Sequence, residues 1–128
     1  MLNMHGSQKR RTILHFGTDR VVLLLRAKGL NEVGYRVLNS SDGFETIRLA
    51  TQEPVDAVVL DLDRNSAEVT LVAKELKRCR PQLPTIVVAD GPVAMAAAHE
   101  LADALVPKRD NLEMLVSALE NVLTKFGA

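Results

Sequence analysis

Apolar residues recur along this chain in two alternating rhythms, short continuous runs and longer stretches spaced three or four apart. Thr12-Ile13-Leu14-His15-Phe16 is a run with β-branched and aromatic members, and it predicts a buried strand. Gly17-Thr18-Asp19 breaks it, and Asp19 can cap a helix carrying Val21 to Leu30, closed by Asn31 to Gly34. Tyr35 to Leu38 reads as a second strand. Ser40-Ser41-Asp42-Gly43 then offers caps for a helix from Phe44 to Gln52, with Phe44, Ile47, Leu49 and Ala50 available for its buried face.

The alternation continues to the end. Pro54 separates that helix from a third strand, Ala57 to Leu62, and Ser66 caps a helix to about Cys79 with Val69, Val72, Ala73 and Leu76 at helical spacing. A fourth strand spans Thr85 to Ala89. Gly91-Pro92 opens an alanine-rich helix to about Ala102, with proline suited to the first turn. Ala104 to Val106 is a short fifth strand. Asp110 three residues before Glu113 resembles a capping box for a last helix, striped by Leu112, Leu115, Val116, Leu119, Val122, Leu123 and Phe126.

Strands of this length separated by helices require crossover connections, hence a parallel sheet covered on both faces: an α/β, doubly wound, three-layer arrangement. No linker or repeat interrupts it, so residues 12–128 form one domain, preceded by a flexible polar tail over 1–11.

Composition narrows the function. With 47% hydrophobic residues the chain can fill a core, and 16 basic against 16 acidic residues leave no global field for nucleic acid or anionic lipid. The basic run Lys9-Arg10-Arg11 sits in the tail and reads as solvated. One cysteine, Cys79, excludes an internal disulfide and a cysteine-built metal site. No apolar run is long enough to cross a membrane, and the expectation is a soluble cytoplasmic protein.

Candidate chemistry follows from the fold class. In open α/β sheets the ligand crevice lies outside the carboxyl ends of the strands, where strand order reverses. Asp19, Asp61, Asp63, Asp90 and Lys108 all fall at such ends. Several carboxylates and one lysine suit a hard cation or a phosphoryl group held between metal and ammonium.

Five pieces now resemble one family. Gly34-Tyr35-Arg36-Val37, Ser41-Asp42-Gly43-Phe44-Glu45, Pro54 to Asp61, Leu83 to Val88 and Ala102 to Lys108 resemble, in order and spacing, the receiver domains of two-component response regulators. The resemblance implies a flavodoxin-like (βα)5 fold with sheet order 2-1-3-4-5. It aligns Asp61 with the phosphoacceptor and Lys108 with the lysine that contacts the phosphoryl group. It also brings Mg²⁺ as metal, with Asp61 and Asp63 as its remaining carboxylates, and histidine kinases or downstream signalling proteins as partners.

Departures from the family pattern point to a degenerate member. Gly17 and Thr18 replace its acidic pair, leaving at best a weak Mg²⁺ site. Ala89 replaces a hydroxyl residue, Asp90 a small one, Leu105 an aromatic one, and Arg109 a proline, so a trans peptide is expected after Lys108. The sequence therefore predicts a non-enzymatic signalling domain of phosphorelay type, acting through protein contacts with weak or absent phosphorylation of Asp61. The fourth and fifth helices are the expected dimer or partner face. Two alternatives stand beside it: an orthodox receiver phosphorylated on Asp61, and a small flavodoxin-like ligand-binding domain or enzyme using the carboxylate mouth. Simpler roles are also on hand: Lys108 can pair with Asp61 as a structural ion pair, and His15 can be a core histidine with one satisfied ring nitrogen.

Overall fold

The computed structural model describes residues 10–62, 66–108 and 112–127. The elements alternate throughout: β1 (Thr12–Phe16), α1 (Arg20–Val33), β2 (Arg36–Ser40), α2 (Gly43–Gln52), β3 (Ala57–Leu62), α3 (Ser66–Cys79), β4 (Thr85–Ala89), α4 (Pro92–Ala98), β5 (Ala104–Pro107) and α5 (Leu112–Gly127). The strands form one parallel sheet in the order β2-β1-β3-β4-β5. That is the flavodoxin-like order, and it places the reversal in strand order at β1 and β3.

Both faces of the sheet are covered, because every residue of β1, β3 and β4 is buried and so needs an apolar layer on each side. On one face Leu14, Phe16, Val58, Leu60 and Val87 pack with Ala50 of α2, Val69 and Leu76 of α3, and Ala98 of α4. On the other, Ile13, Val59, Val88 and Val106 meet Leu30 of α1 and Leu115, Leu119 and Val122 of α5. Side chains alternate across a strand, so His15, two residues after Ile13, and Asp61, two after Val59, belong to the α1–α5 face.

Helix starts are set by local chemistry. Asp19 Oδ1 accepts the backbone N–H of Val21 at 3.0 Å and of Val22 at 3.2 Å. Asp42 Oδ2 accepts that of Glu45 at 3.0 Å. Gly34 ends α1 with φ at 116°, a left-handed conformation that other residues adopt only under strain. Gly91 and Pro92 open α4 as expected.

Three expectations need correction. β2 begins at Arg36, since the Tyr35 N–H closes the end of α1 on the Leu30 carbonyl at 3.0 Å. α4 stops at Ala98, where His99 and Leu101 donate to the carbonyls three residues back and the chain tightens into a turn. Phe44 is 89% exposed, because α2 buries Thr46 and Ala50 and packs Ile47 and Leu49 partly, leaving position 44 on the solvent side. Asp63, Arg109 and Asp110, the tail before residue 10, and the side chains of Ser66 and Phe126 lie outside the described residues.

Candidate functional site

The reversal in strand order puts the ends of β1 and β3 side by side, and Asp61 is the next-to-last residue of β3 there. Its side chain is 1% exposed. Gly17, the residue after β1, is what admits it: a Cβ on Gly17 would stand 3.0 Å from the Asp61 Cβ and 3.2 Å from Leu23 Cδ2. At these distances a side chain at position 17 would require Asp61 and Leu23 to give by a few tenths of an ångström, so glycine here permits the close approach of the β1 end to Asp61.

Two cations reach the buried carboxylate. Lys108 Nζ lies 3.5 Å from Asp61 Oδ1, and Arg26 Nη1 lies 3.7 Å from the same oxygen. These are ion-pair distances with looser geometry than hydrogen bonds, and neither carboxylate oxygen has a hydrogen-bond partner among the described residues. Removing a carboxylate from water without hydrogen bonds is expensive, and the attraction of paired cations is what offsets it. Arg26 is the partner that sequence reasoning missed. Its signal was present: Leu23, Arg26, Ala27 and Leu30 follow the i, i+3, i+4, i+7 pattern of a buried helical face, with an arginine among them.

Behind Arg26 sits His15, fully buried on β1. Arg26 Nη1 and His15 Nε2 are 3.0 Å apart. A guanidinium can only donate, so Nε2 accepts and the ring is neutral. Burial first, and then the Arg26 charge, lower the His15 pKa to about 3. His15 is thus the core histidine with one satisfied ring nitrogen, and its neutrality avoids a third positive charge beside Arg26 and Lys108.

The remaining expected residues scatter. Asp19 is used as the α1 cap, and Asp90 Oδ1 accepts the backbone N–H of Lys108 at 3.0 Å on the exposed side of the β5 end. Lys108 N–H also donates to the Ala89 carbonyl at 3.0 Å, which fixes where the lysine leaves the sheet. Ala89 is fully buried, and Leu105 packs against the α2–α4 side of the core. Of the five charged residues read at strand ends, the structure pairs the side chains of Asp61 and Lys108 and ties Asp90 to the Lys108 backbone, while Asp63 is outside the described residues.

The described residues of this donor set do not by themselves fit Mg²⁺. Such an ion takes several oxygen ligands, usually with more than one carboxylate or with substrate phosphates. Here one carboxylate faces two fixed cations, and no group of three His, Cys, Asp or Glu side chains comes together among the described residues.

No family model matches the sequence, and no curated protein matches it. Solved structures do match the fold. A putative response regulator from Chloroflexus aurantiacus superposes with a TM-score of 0.83 at 21% identity over 91% of this chain and 99% of that chain. A CheY-like response regulator receiver domain protein from Methanospirillum hungatei gives 0.82 at 20% identity over 93% and 98%. A response regulator protein from Thermotoga maritima, solved in complex with Mg(2+)-BeF, gives 0.80 at 21% identity over 88% and 99%. The fold is therefore that of response regulator receiver domains.

Proposed function

We propose that this protein is a degenerate receiver-like signalling module that works by binding other proteins, with phosphorylation of Asp61 weak or absent. The observation carrying this reading is the Arg26–Asp61–Lys108 cluster. Asp61 aligns with a phosphoacceptor, and Lys108 reaches it as a phosphoryl-contacting lysine would. The third member is an arginine at 3.7 Å, and Gly17 stands where the family pattern has a carboxylate. The Thermotoga protein of this fold takes Mg²⁺ with beryllofluoride. In this chain a covalently tethered cation stands beside the carboxylate instead, and a tethered cation cannot be exchanged as a bound metal can.

Partner proteins of the two-component type, histidine kinases among them, are the class this fold suggests, and the setting is cytoplasmic. No helix among the described residues is long and apolar enough to cross a membrane. The face expected to carry contacts, homodimeric ones included, keeps exposed apolar residues: Val93 on α4 is 83% exposed and Met114 on α5 is 46% exposed. No nucleic-acid or enzymatic role is part of the proposal.

Amide NMR spectra with Mg²⁺ and beryllofluoride, beside an Asp61→Ala control, test it. Unchanged resonances around Asp61 and Lys108 are expected. Shifts that vanish in the control would restore the orthodox phosphoacceptor.

A further inference from the structure

The first helix, α1, is apolar on two sides. Leu23, Ala27 and Leu30 are buried on the inner side. Val21, Leu24 and Leu25, at i, i+3 and i+4, share the outer side and are 65%, 66% and 67% exposed. Among the described residues each other helix exposes one large apolar side chain (Phe44, Leu71, Val93 and Met114 in turn), so only α1 gathers them into a patch. A helix apolar all round is one that is covered all round, and aliphatic side chains at helical spacing are what a second helix packs against.

The charges flanking the patch indicate what covers it. Asp19 and Arg20 stand at its amino end, Lys28 and Glu32 toward its carboxyl end. Arg20, Lys28 and Glu32 are exposed, and none of the three makes an ion pair among the described residues. The cap uses Oδ1 of Asp19 and leaves Oδ2 for a cation. All of these residues lie in one continuous described segment.

A second copy of α1 laid antiparallel about Leu24 and Leu25 sets Val21 opposite Lys28 of that copy. The apolar stem of Lys28 can cover Val21 while its ammonium reaches Asp19, less than a turn away. Arg20 comes within a turn of Glu32 of the second copy. Two-fold symmetry makes each pairing twice, and antiparallel helices also bring opposite dipole ends together. A parallel copy would set like charges side by side. The patch is complementary to its own reverse.

We propose that two copies of this protein associate through α1, antiparallel about Leu24 and Leu25. The surface is separate from the α4–α5 face and from the Asp61 recess, and the proposal does not rest on the receiver reading. The 14 residues of α1 make a strip about 21 Å long and about 10 Å wide. That is small beside the roughly 800 Å² per partner of a stable complex, so the association is weak and reversible.

Sedimentation equilibrium of the full chain between roughly 10 μM and 1 mM decides it. The wild type should move from monomer toward dimer across this range. Leu24→Lys should weaken association at least about ten-fold, because both copies lose their central side chain. Arg20→Glu and Glu32→Arg should each weaken it about three-fold, and an equal mixture of the two should recover wild-type affinity, since each inverted charge then meets its complement. All three side chains are exposed, and circular dichroism checks that the variants keep the fold. A monomer at the highest concentration would overturn the proposal and leave α1 to an unlike partner. Association that survives Leu24→Lys would overturn it too, as would a mixture no tighter than its components.

Discussion

The two ends of the sheet handle aspartate in opposite ways. At the amino end, Asp56 precedes β3 and Asp103 precedes β5. Asp56 Oδ2 accepts the Thr12 N–H at 2.7 Å while its own N–H donates to the Thr12 carbonyl at 2.8 Å. Asp103 repeats the arrangement on Thr85, at 2.8 and 2.7 Å. Each fastens its strand to the first residue of the neighbouring strand, and each carboxylate has its hydrogen bond. At the carboxyl end Asp61 has none among the described residues, is nearly inaccessible, and is faced by two cations. Two of these aspartates work as backbone staples; the third is a charge held in a recess by its neighbours. A polar strand end is ordinary, and an unbonded buried one needs a dedicated surrounding.

The same substitution at both ends sharpens that contrast most. Asp61→Asn leaves Arg26 and Lys108 facing a neutral amide, and breaking a buried pair in this way should cost about 3 kcal/mol. Asp56→Asn keeps an oxygen for the Thr12 N–H, and it should lose only about 0.5–1 kcal/mol. Urea unfolding of both variants measures the gap. Equal losses would make Asp61 no different from the staples.

Acidity tests the recess next. His15 has a folded pKa depressed to about 3, so it stays neutral in the native state while the unfolded chain takes up a proton as pH falls below 6.5. The unfolded state then binds more protons, and stability declines with falling pH across that window. Between pH 7 and pH 5 the loss should be about 2 kcal/mol. His15→Leu should flatten this part of the profile in thermal or urea melts; an unchanged slope would show that His15 is not its source.

Smaller effects mark the edges of the comparison. Gly17→Ala brings a methyl to 3.0 Å from the Asp61 Cβ, and such overpacking should cost about 1–2 kcal/mol in denaturant unfolding. Phe44→Ser removes a side chain that is 89% exposed, so the same measurement should move by less than about 0.5 kcal/mol.

Much of the scaffold was legible in the order of residues. β1, β3 and β4 fall at the predicted positions because a strand buried on both faces is written as an unbroken apolar run. The edge strand β2 was harder: its pairing runs on through Asn39 and Ser40, polar residues that the apolar run does not reach. Alanine favours helix wherever it stands, so the sequence extended α4 beyond Ala98, whereas Leu101 and Ala102 turn in to pack on the core. At the site, Asp61 and Lys108 were readable from their places at strand ends. Arg26 comes from the middle of a helix, and its meaning depends on His15 and Asp61 lying on the same face of the sheet. That depends on which strands are neighbours, and the resemblance supplied strand order without supplying side-chain reach.

The sheet's two borders bear on how any partner can approach. β5 has only four residues and ends in Pro107, which has no N–H to offer, while β2 presents exposed Arg36 and Asn39. Short, proline-bearing or charged borders discourage another chain from adding itself as a further strand. Recognition by main-chain pairing is thereby disfavoured on either flank, and a visiting protein must instead read side chains displayed on the helices. Specificity for whatever this protein meets would then reside in surface residues that can change one at a time without disturbing the sheet beneath.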